Sequence, residues 1–128
     1  MFWIKRHLYY QVTRGQVTAT FVEEDKSITK LCSALNHPKT LMGNFMEIED
    51  CFRSIAKELT PRRFLWQEHT AIVHLLESVE GGYISLEIRA FREAAFGAGA
   101  REVLVPNSNS KLTKAQTLNR KFTEWDCV

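Results

Sequence analysis

Little in this sequence suits an exported, metal-dependent or membrane-spanning protein. Its 128 residues hold three cysteines, Cys32, Cys51 and Cys127, an odd number without a Cys-x-x-Cys pair. That pattern argues against a disulfide framework and a structural zinc site, and it predicts Cys32 and Cys51 as buried thiols in a reducing compartment. Three prolines and six glycines are too few for a collagen-like or low-complexity chain. No apolar run approaches the roughly 20 residues of a membrane-spanning helix. The opening Met1-Phe2-Trp3-Ile4-Lys5-Arg6-His7 sets its charges behind a tiny apolar patch, the reverse of a secretory signal. Charge of one sign is scarce as well. Seventeen basic and fifteen acidic residues leave a net +2, too little for a long-range field that would draw nucleic acid or acidic lipid. Arg62 and Arg63 beside Pro61 read as a solvated loop. A cytoplasmic location is the expectation.

Catalytic signatures are equally thin. His69 and His74 lie five apart on an expected strand, so their side chains leave on opposite faces and cannot share a metal. His7 and His37 have no carboxylate or cysteine at ligand spacing, and no metal site is expected. No nucleophile elbow surrounds any serine or cysteine. Gly97-Ala98-Gly99-Ala100 follows a helix and precedes a strand, the wrong end of the helix dipole for phosphate, and reads as helix termination.

What is present is the pattern of one globular domain, 45% hydrophobic and 25% charged. From Leu8 to Val22 the apolar residues alternate, broken at Arg14-Gly15, which predicts a β-hairpin. The polar cluster Glu23-Glu24-Asp25-Lys26 makes a turn, and Ile28 to Leu35 supplies a third strand. Pro38 keeps 36–40 as a loop. Ile48, Cys51, Phe52, Ile55 and Leu59 recur at helical spacing over Asn44–Thr60, with Asn44 and Glu47 spaced as a capping box. The run 70–76 is a buried strand. A second helix spans Ile84–Ala98, and 102–105 is the last strand. Pro106 to Ser110 forms a linker, then Leu112, Ala115, Leu118 and Phe122 mark a short helix whose apolar stripe is expected to dock on the sheet. The chain thus divides into an α/β domain at 1–106 and a linker with a terminal helix at 107–128. Right-handed crossovers place the later strands parallel to the first, giving a mixed five-stranded sheet of order 3-2-1-4-5, a ribonuclease-H-like topology.

The stretch from Leu86-Glu87-Ile88-Arg89-Ala90 through Gly97-Ala98-Gly99-Ala100-Arg101-Glu102-Val103 to Val105 resembles the E-R-R-A-x-R-x-A-x-x-A-G-A-R-E-V segment of the bacterial actin-like MreB family. Gly43-Asn44-Phe45 followed by Glu47 is similar to that family's A-D-F…E entry into its first long helix. The Leu8–Val22 hairpin sits where actin-like proteins place their first phosphate-binding hairpin. The resemblance covers residues 8–105 and implies an actin-like half-domain, with Glu87 matching the family's water-orienting glutamate.

Departures from the family shape the functional expectation. The family hairpin carries Asp-x-Gly-Thr, whereas this strand reads Tyr9-Tyr10-Gln11-Val12-Thr13. Gln11, Thr13, Arg14 and Gly15 therefore form a degenerate phosphate hairpin, and Asn44 stands where the family usually has Asp. The second phosphate loop and adenosine site would lie on a second domain that these residues do not include. Phosphoryl transfer depends on charge positioned around phosphates and metal, which Glu87 alone does not supply. The expectation is a non-catalytic, cofactor-free protein-interaction module linked to cell shape or the cytoskeleton, with protein partners or self-association and no nucleic acid. Two rivals stand beside it. One is a residual nucleotide-binding ATPase fragment completed by a partner chain. The other is a peripheral inner-membrane module in which Phe2, Trp3 and Ile4, with Lys5 and Arg6, make the membrane contact.

Overall fold

The computed structural model describes residues 6–35, 44–60, 69–77 and 85–125. The expectations for Phe2, Trp3, Ile4, His37, Arg62, Arg63 and Cys127 lie outside them. Five strands form one sheet: β1 (Arg6–Thr13), β2 (Gln16–Phe21), β3 (Lys26–Leu31), β4 (His69–Leu75) and β5 (Glu102–Leu104), in the order β3-β2-β1-β4-β5. β1 pairs antiparallel with β2, and β2 with β3. β1–β4 and β4–β5 are parallel. The mixed sheet and its strand order match the sequence expectation.

Alternation along the strands gives the sheet two unlike faces. Leu8, Tyr10 and Val12 of β1 share one face with Val17 and Ala19, Ala71 and Val73, and Val103. That face is covered by α1 (Phe45–Leu59) and α2 (Ser85–Gly97), whose Ile48, Phe52, Ile55, Ile88 and Phe91 complete the main core. The ring of Tyr10 stacks on Phe52 at 4.6 Å. The second face presents Tyr9, Ile72 and Leu104, and takes Leu112, Leu118 and Phe122 from the tail. β1 is central and buried on both sides along most of its length.

Local chemistry sets the helix ends. The Glu47 backbone N–H donates to Asn44 Oδ1 at 3.2 Å. Only this half of the expected capping box forms, which still satisfies one first-turn amide. At the other end the Thr60 hydroxyl and amide both donate to the Ala56 carbonyl, just before Pro61. α2 terminates as Gly97-Ala98-Gly99 led one to expect. Gly99 is left-handed, with φ 102°, and Ala100 N–H reaches back to Ala95 O at 3.2 Å. An added Cβ at Gly97 would collide with the Glu49 carboxylate. Glu49 is held there by Arg53, which also donates to the Gly97 carbonyl. A side chain at Gly97 would therefore push the Glu49 carboxylate out of this arrangement.

Several boundaries differ from expectation. β3 starts earlier and stops at Leu31, because Asp25 takes a left-handed turn at φ 53° and reverses the chain at once. The expected strand residues Ser33–Leu35 instead form a single 3-10 turn. The terminal helix α3 covers only Lys114–Leu118, capped by Thr113 and Gln116 in a complete capping box. Ala115, expected on its apolar stripe, is exposed. Arg6, expected beside a membrane anchor, is instead 7% exposed at the start of β1. No helix among the described residues is long and apolar enough to cross a membrane.

Candidate functional site

Parallel pairing of β1 with β4 brings Val12 opposite Leu75, so the carboxyl ends of both strands meet at one end of the sheet. Here the hairpin turns through Arg14 and Gly15, with Gly15 at φ 81°, a conformation open to glycine at little cost. Gln11 and Thr13 are half-buried on the strand that leads in. Glu87 lies half-buried in the first turn of α2.

The two amides of the hairpin tip are both engaged by the protein's own acceptors. Arg14 N–H donates to the Glu77 carboxylate at 2.8 Å. Gly15 N–H donates to Leu35 O at 3.2 Å, and Cys32 N–H returns to Gly15 O at 2.8 Å. Leu76 N–H adds a bond to Val12 O at 3.0 Å. A loop that receives phosphate aims such N–H groups outward at the ligand. Here one amide already holds an anion, and the other is turned into the 3-10 turn that follows β3. Gln11 and Thr13 contribute neutral side chains where a metal-water shell would need a carboxylate. Gln11, Thr13, Arg14 and Gly15 therefore lie together on a hairpin whose tip is strapped by the protein's own acceptors. The phosphate-loop reading of 97–100 fails similarly, since the amides of Ala98, Gly99 and Ala100 all bond to α2 carbonyls.

A second polar cluster lies inside the tail-covered face. Tyr9 Oη and His74 Nδ1 are 2.7 Å apart. His74 Nε2 lies 2.8 Å from the Ser108 carbonyl and 3.2 Å from its hydroxyl. Leu112 N–H donates to Tyr9 Oη at 2.9 Å. A serine, a histidine and a tyrosine in hydrogen-bond sequence invite a catalytic reading, but the protons exclude it. The Ser108 carbonyl only accepts, so Nε2 must carry the hydrogen. Nδ1 is then the acceptor, and Tyr9 donates to it. The imidazole has no lone pair facing Ser108 Oγ, and that hydroxyl donates to Ser110 O at 3.1 Å. His74 cannot act as base toward Ser108. Burial holds its pKa below the ordinary value, and the bond to Ser108 offsets this only partly. The cluster fastens β1, β4 and the tail together.

The other titratable groups are structural too. His7 is buried and paired with Glu23, whose carboxylate also accepts the His7 backbone N–H at 2.8 Å. The sequence shows no carboxylate at metal-ligand spacing from His7, and its partner here, Glu23, lies 16 residues away. Burial alone would raise Glu23, but the bonds from His7 outweigh it and hold the carboxyl below its usual range. His69 and His74 point to opposite faces, as their spacing requires. Cys32 is buried and Cys51 only half-buried. Burial, with Cys32 alongside, pushes the Cys51 thiol up to about 12, so little of it is thiolate at neutral pH.

Sequence reasoning treated His74 as merely structural and missed its partners. The available signal was a histidine and a tyrosine on an otherwise apolar strand face, where buried polar atoms require bonds. The partners could not be read, because Leu112 lies 103 residues from Tyr9. The chain matches no family model and no curated protein.

Proposed function

We propose that this chain is a non-catalytic, actin-like half-domain that works through protein–protein contact, in the cytoplasm and linked to cell shape or the bacterial cytoskeleton. The observation that carries the non-catalytic part is the strapped hairpin tip. An actin-like ATPase would receive phosphate on those amides, whereas here Glu77 and Leu35 occupy them. A nucleotide would have to displace a carboxylate and break the turn before it met any donor. The ribonuclease-H-like assignment draws support from the strand order β3-β2-β1-β4-β5 with helices between the parallel strands. The cell-shape link draws on the resemblance of residues 86–105 to the MreB segment, and fold alone does not fix a role.

Isothermal titration with ATP and magnesium tests the first part, and no saturable heat up to millimolar nucleotide is expected. Micromolar binding, abolished by Glu87→Gln, would favour a residual nucleotide site instead. Co-purification of a full-length MreB-type protein with the tagged chain, kept after a high-salt wash, tests the partner class. Its absence in a cell that contains that protein would remove the cytoskeletal assignment.

A further inference from the structure

The tail-covered face contains a device that the proposed function does not use. Residues 106–125 cross the sheet and are fastened to it largely by polar bonds. The Tyr9–His74–Ser108 chain sits at the centre of the attachment, joined to Leu112 N–H. Glu102 binds Arg120 through two contacts at 2.6 and 3.0 Å, and Lys114 meets Asp25 at 3.0 Å. Within the segment Asn107 N–H donates to Thr123 O, and at its far end Trp125 donates its N–H to Val105 O and packs on the edge of the main core. Beneath lie Tyr9, Val22, Ile72 and Leu104, an apolar strip that, among the described residues, the tail covers with Leu112, Leu118 and Phe122.

We propose that segment 106–125 is an acid-released strap, with the neutral imidazole of His74, gripped between Tyr9 and Ser108, as its latch. The inference does not depend on the cytoskeletal reading. The bonding order admits one protonation state. Nε2–H must point at the Ser108 carbonyl, and Tyr9 O–H must point at a bare Nδ1. Protonating Nδ1 sets two hydrogens against each other across a 2.7 Å contact. Tyr9 cannot turn away cheaply, because its oxygen already accepts from Leu112 N–H and the ring is buried. Either the tyrosine hydrogen loses its acceptor or Leu112 is displaced, with a new charge on a residue that is 0% exposed.

No described carboxylate hydrogen-bonds to the ring to offset that charge. β1 offers Tyr9 and, in register, Gln11; the tail offers Ser108 and Leu112. The titratable groups around the tail are His7 with Glu23, Asp25 with Lys114, Glu102 with Arg120 and Glu124 with Arg92, each carboxylate already engaged by its own partner. The direction of the effect follows from linkage. The released tail frees His74 to titrate near its ordinary value of 6.5, while the latched residue titrates below it. Attachment is therefore fully present above that value and weakens as pH falls from there toward the latched pKa. The helix-covered face has its own fully buried histidine, His69 at the start of β4, but Leu8, Val12, Phe52, Ile55 and Phe91 make its packing mainly apolar, so release of the tail exposes the apolar strip while α1 and α2 stay packed.

Amide exchange of the full chain, corrected for intrinsic rates, tests this between pH 7.5 and 5. Protection of 106–125 should fall by up to about tenfold per pH unit below the ordinary histidine range, the limit for one proton. α1 and β4 should keep their protection. His74→Gln, which can donate to Ser108 and accept from Tyr9 without titrating, should make tail protection independent of pH. His7→Gln should leave the pH dependence intact. If His74→Gln does not fold, the imidazole nitrogen shifts of the native protein serve instead, showing the neutral Nε2–H form at pH 7.5 and a titration that coincides with tail release. The proposal is overturned by tail protection that is flat with pH, by loss of protection in step with α1, by a pH dependence that survives His74→Gln, or by one that vanishes in His7→Gln.

Discussion

The two faces of the sheet are covered by different physics. Against α1 and α2, contact is almost wholly apolar, through Leu8, Val12, Phe52, Ile55, Val73 and Phe91. Against the tail, a few apolar residues are supplemented by directional bonds from Tyr9, His74, Glu102 and Asp25. Apolar burial is non-directional and indifferent to pH, whereas a buried hydrogen bond is sensitive to the state of each partner. The helix face therefore holds the fold, and the tail face is the part that opens first. Only half of that second face needs cover. Over β2 and β3 it carries hydroxyls already paired with each other, Thr18 with Thr29 at 2.9 Å and Thr20 with Ser27 at 2.8 Å. Lys26 and Lys30 sit on β3 at the open edge, where charge discourages pairing with another strand.

The largest test of this contrast is Phe52→Ala. Phe52 is fully buried, and its loss also removes the stacking partner of Tyr10. A cost of about 3–5 kcal/mol is expected, a large part of the roughly 5–15 kcal/mol that holds a domain together. Chemical denaturation should show one transition moved to lower denaturant, with helix and tail signals lost together. A midpoint left in place, with only exchange across 106–125 quickened, would mean that the helix face does not hold the fold.

Tyr9→Phe should act more weakly and more locally. It removes a hydroxyl that accepts from Leu112 N–H and donates to His74, and it leaves both of those groups buried without a partner. Such losses cost about 1–3 kcal/mol. Because the phenyl ring still fills the strand position, exchange should quicken across 106–125 and change little in α1. Equal acceleration in both regions would erase the distinction between the faces.

The same division separates what was legible in the sequence from what was not. The helix face follows periodicity: the alternation of Leu8, Tyr10 and Val12, and the 3.6-residue spacing of Ile48, Phe52, Ile55 and Leu59, lead to the sheet order and the helix positions. Those signals repeat, so an error at one residue matters little. β3 ended wrongly because its limits depend on one left-handed residue, Asp25, and on the bond from Cys32 to Gly15. The tail face was harder still. The apolar stripe of Leu112, Ala115, Leu118 and Phe122 suggested docking, though Ala115 is exposed, and the bonds that fix the tail join residues far apart in the chain. The hairpin turn at Arg14 and Gly15 forms where the alternation predicts it, yet nothing in the order of residues announced that Glu77 would occupy the tip. Side-chain partners across long separations carry no local period.

The smallest expected effect is the sharpest probe of the tail as a separate unit. α3 has only five residues, too short to be stable from its own propensity, so its ends decide whether it forms. Thr113 supplies the amino-terminal cap: its Oγ1 accepts from Gln116 N–H at 3.1 Å, while Gln116 Oε1 accepts from Thr113 N–H at 2.8 Å. Thr113→Ala removes the first bond and leaves the second without its reciprocal partner, a change worth about 1 kcal/mol. Thr113 is exposed, so no cavity is made and the helix-covered core is untouched. The substitution should therefore barely move the midpoint of global unfolding. It should speed amide exchange at Gln116 through Asn119 by about fivefold, the factor that corresponds to about 1 kcal/mol if those amides exchange by local opening. Thr113→Ser, which keeps the accepting oxygen, should restore slow exchange. Exchange at these amides that is unchanged in Thr113→Ala would show that α3 is held by Leu112, Leu118 and Phe122 alone, and that the tail depends less on directional bonds than the comparison of the two faces requires.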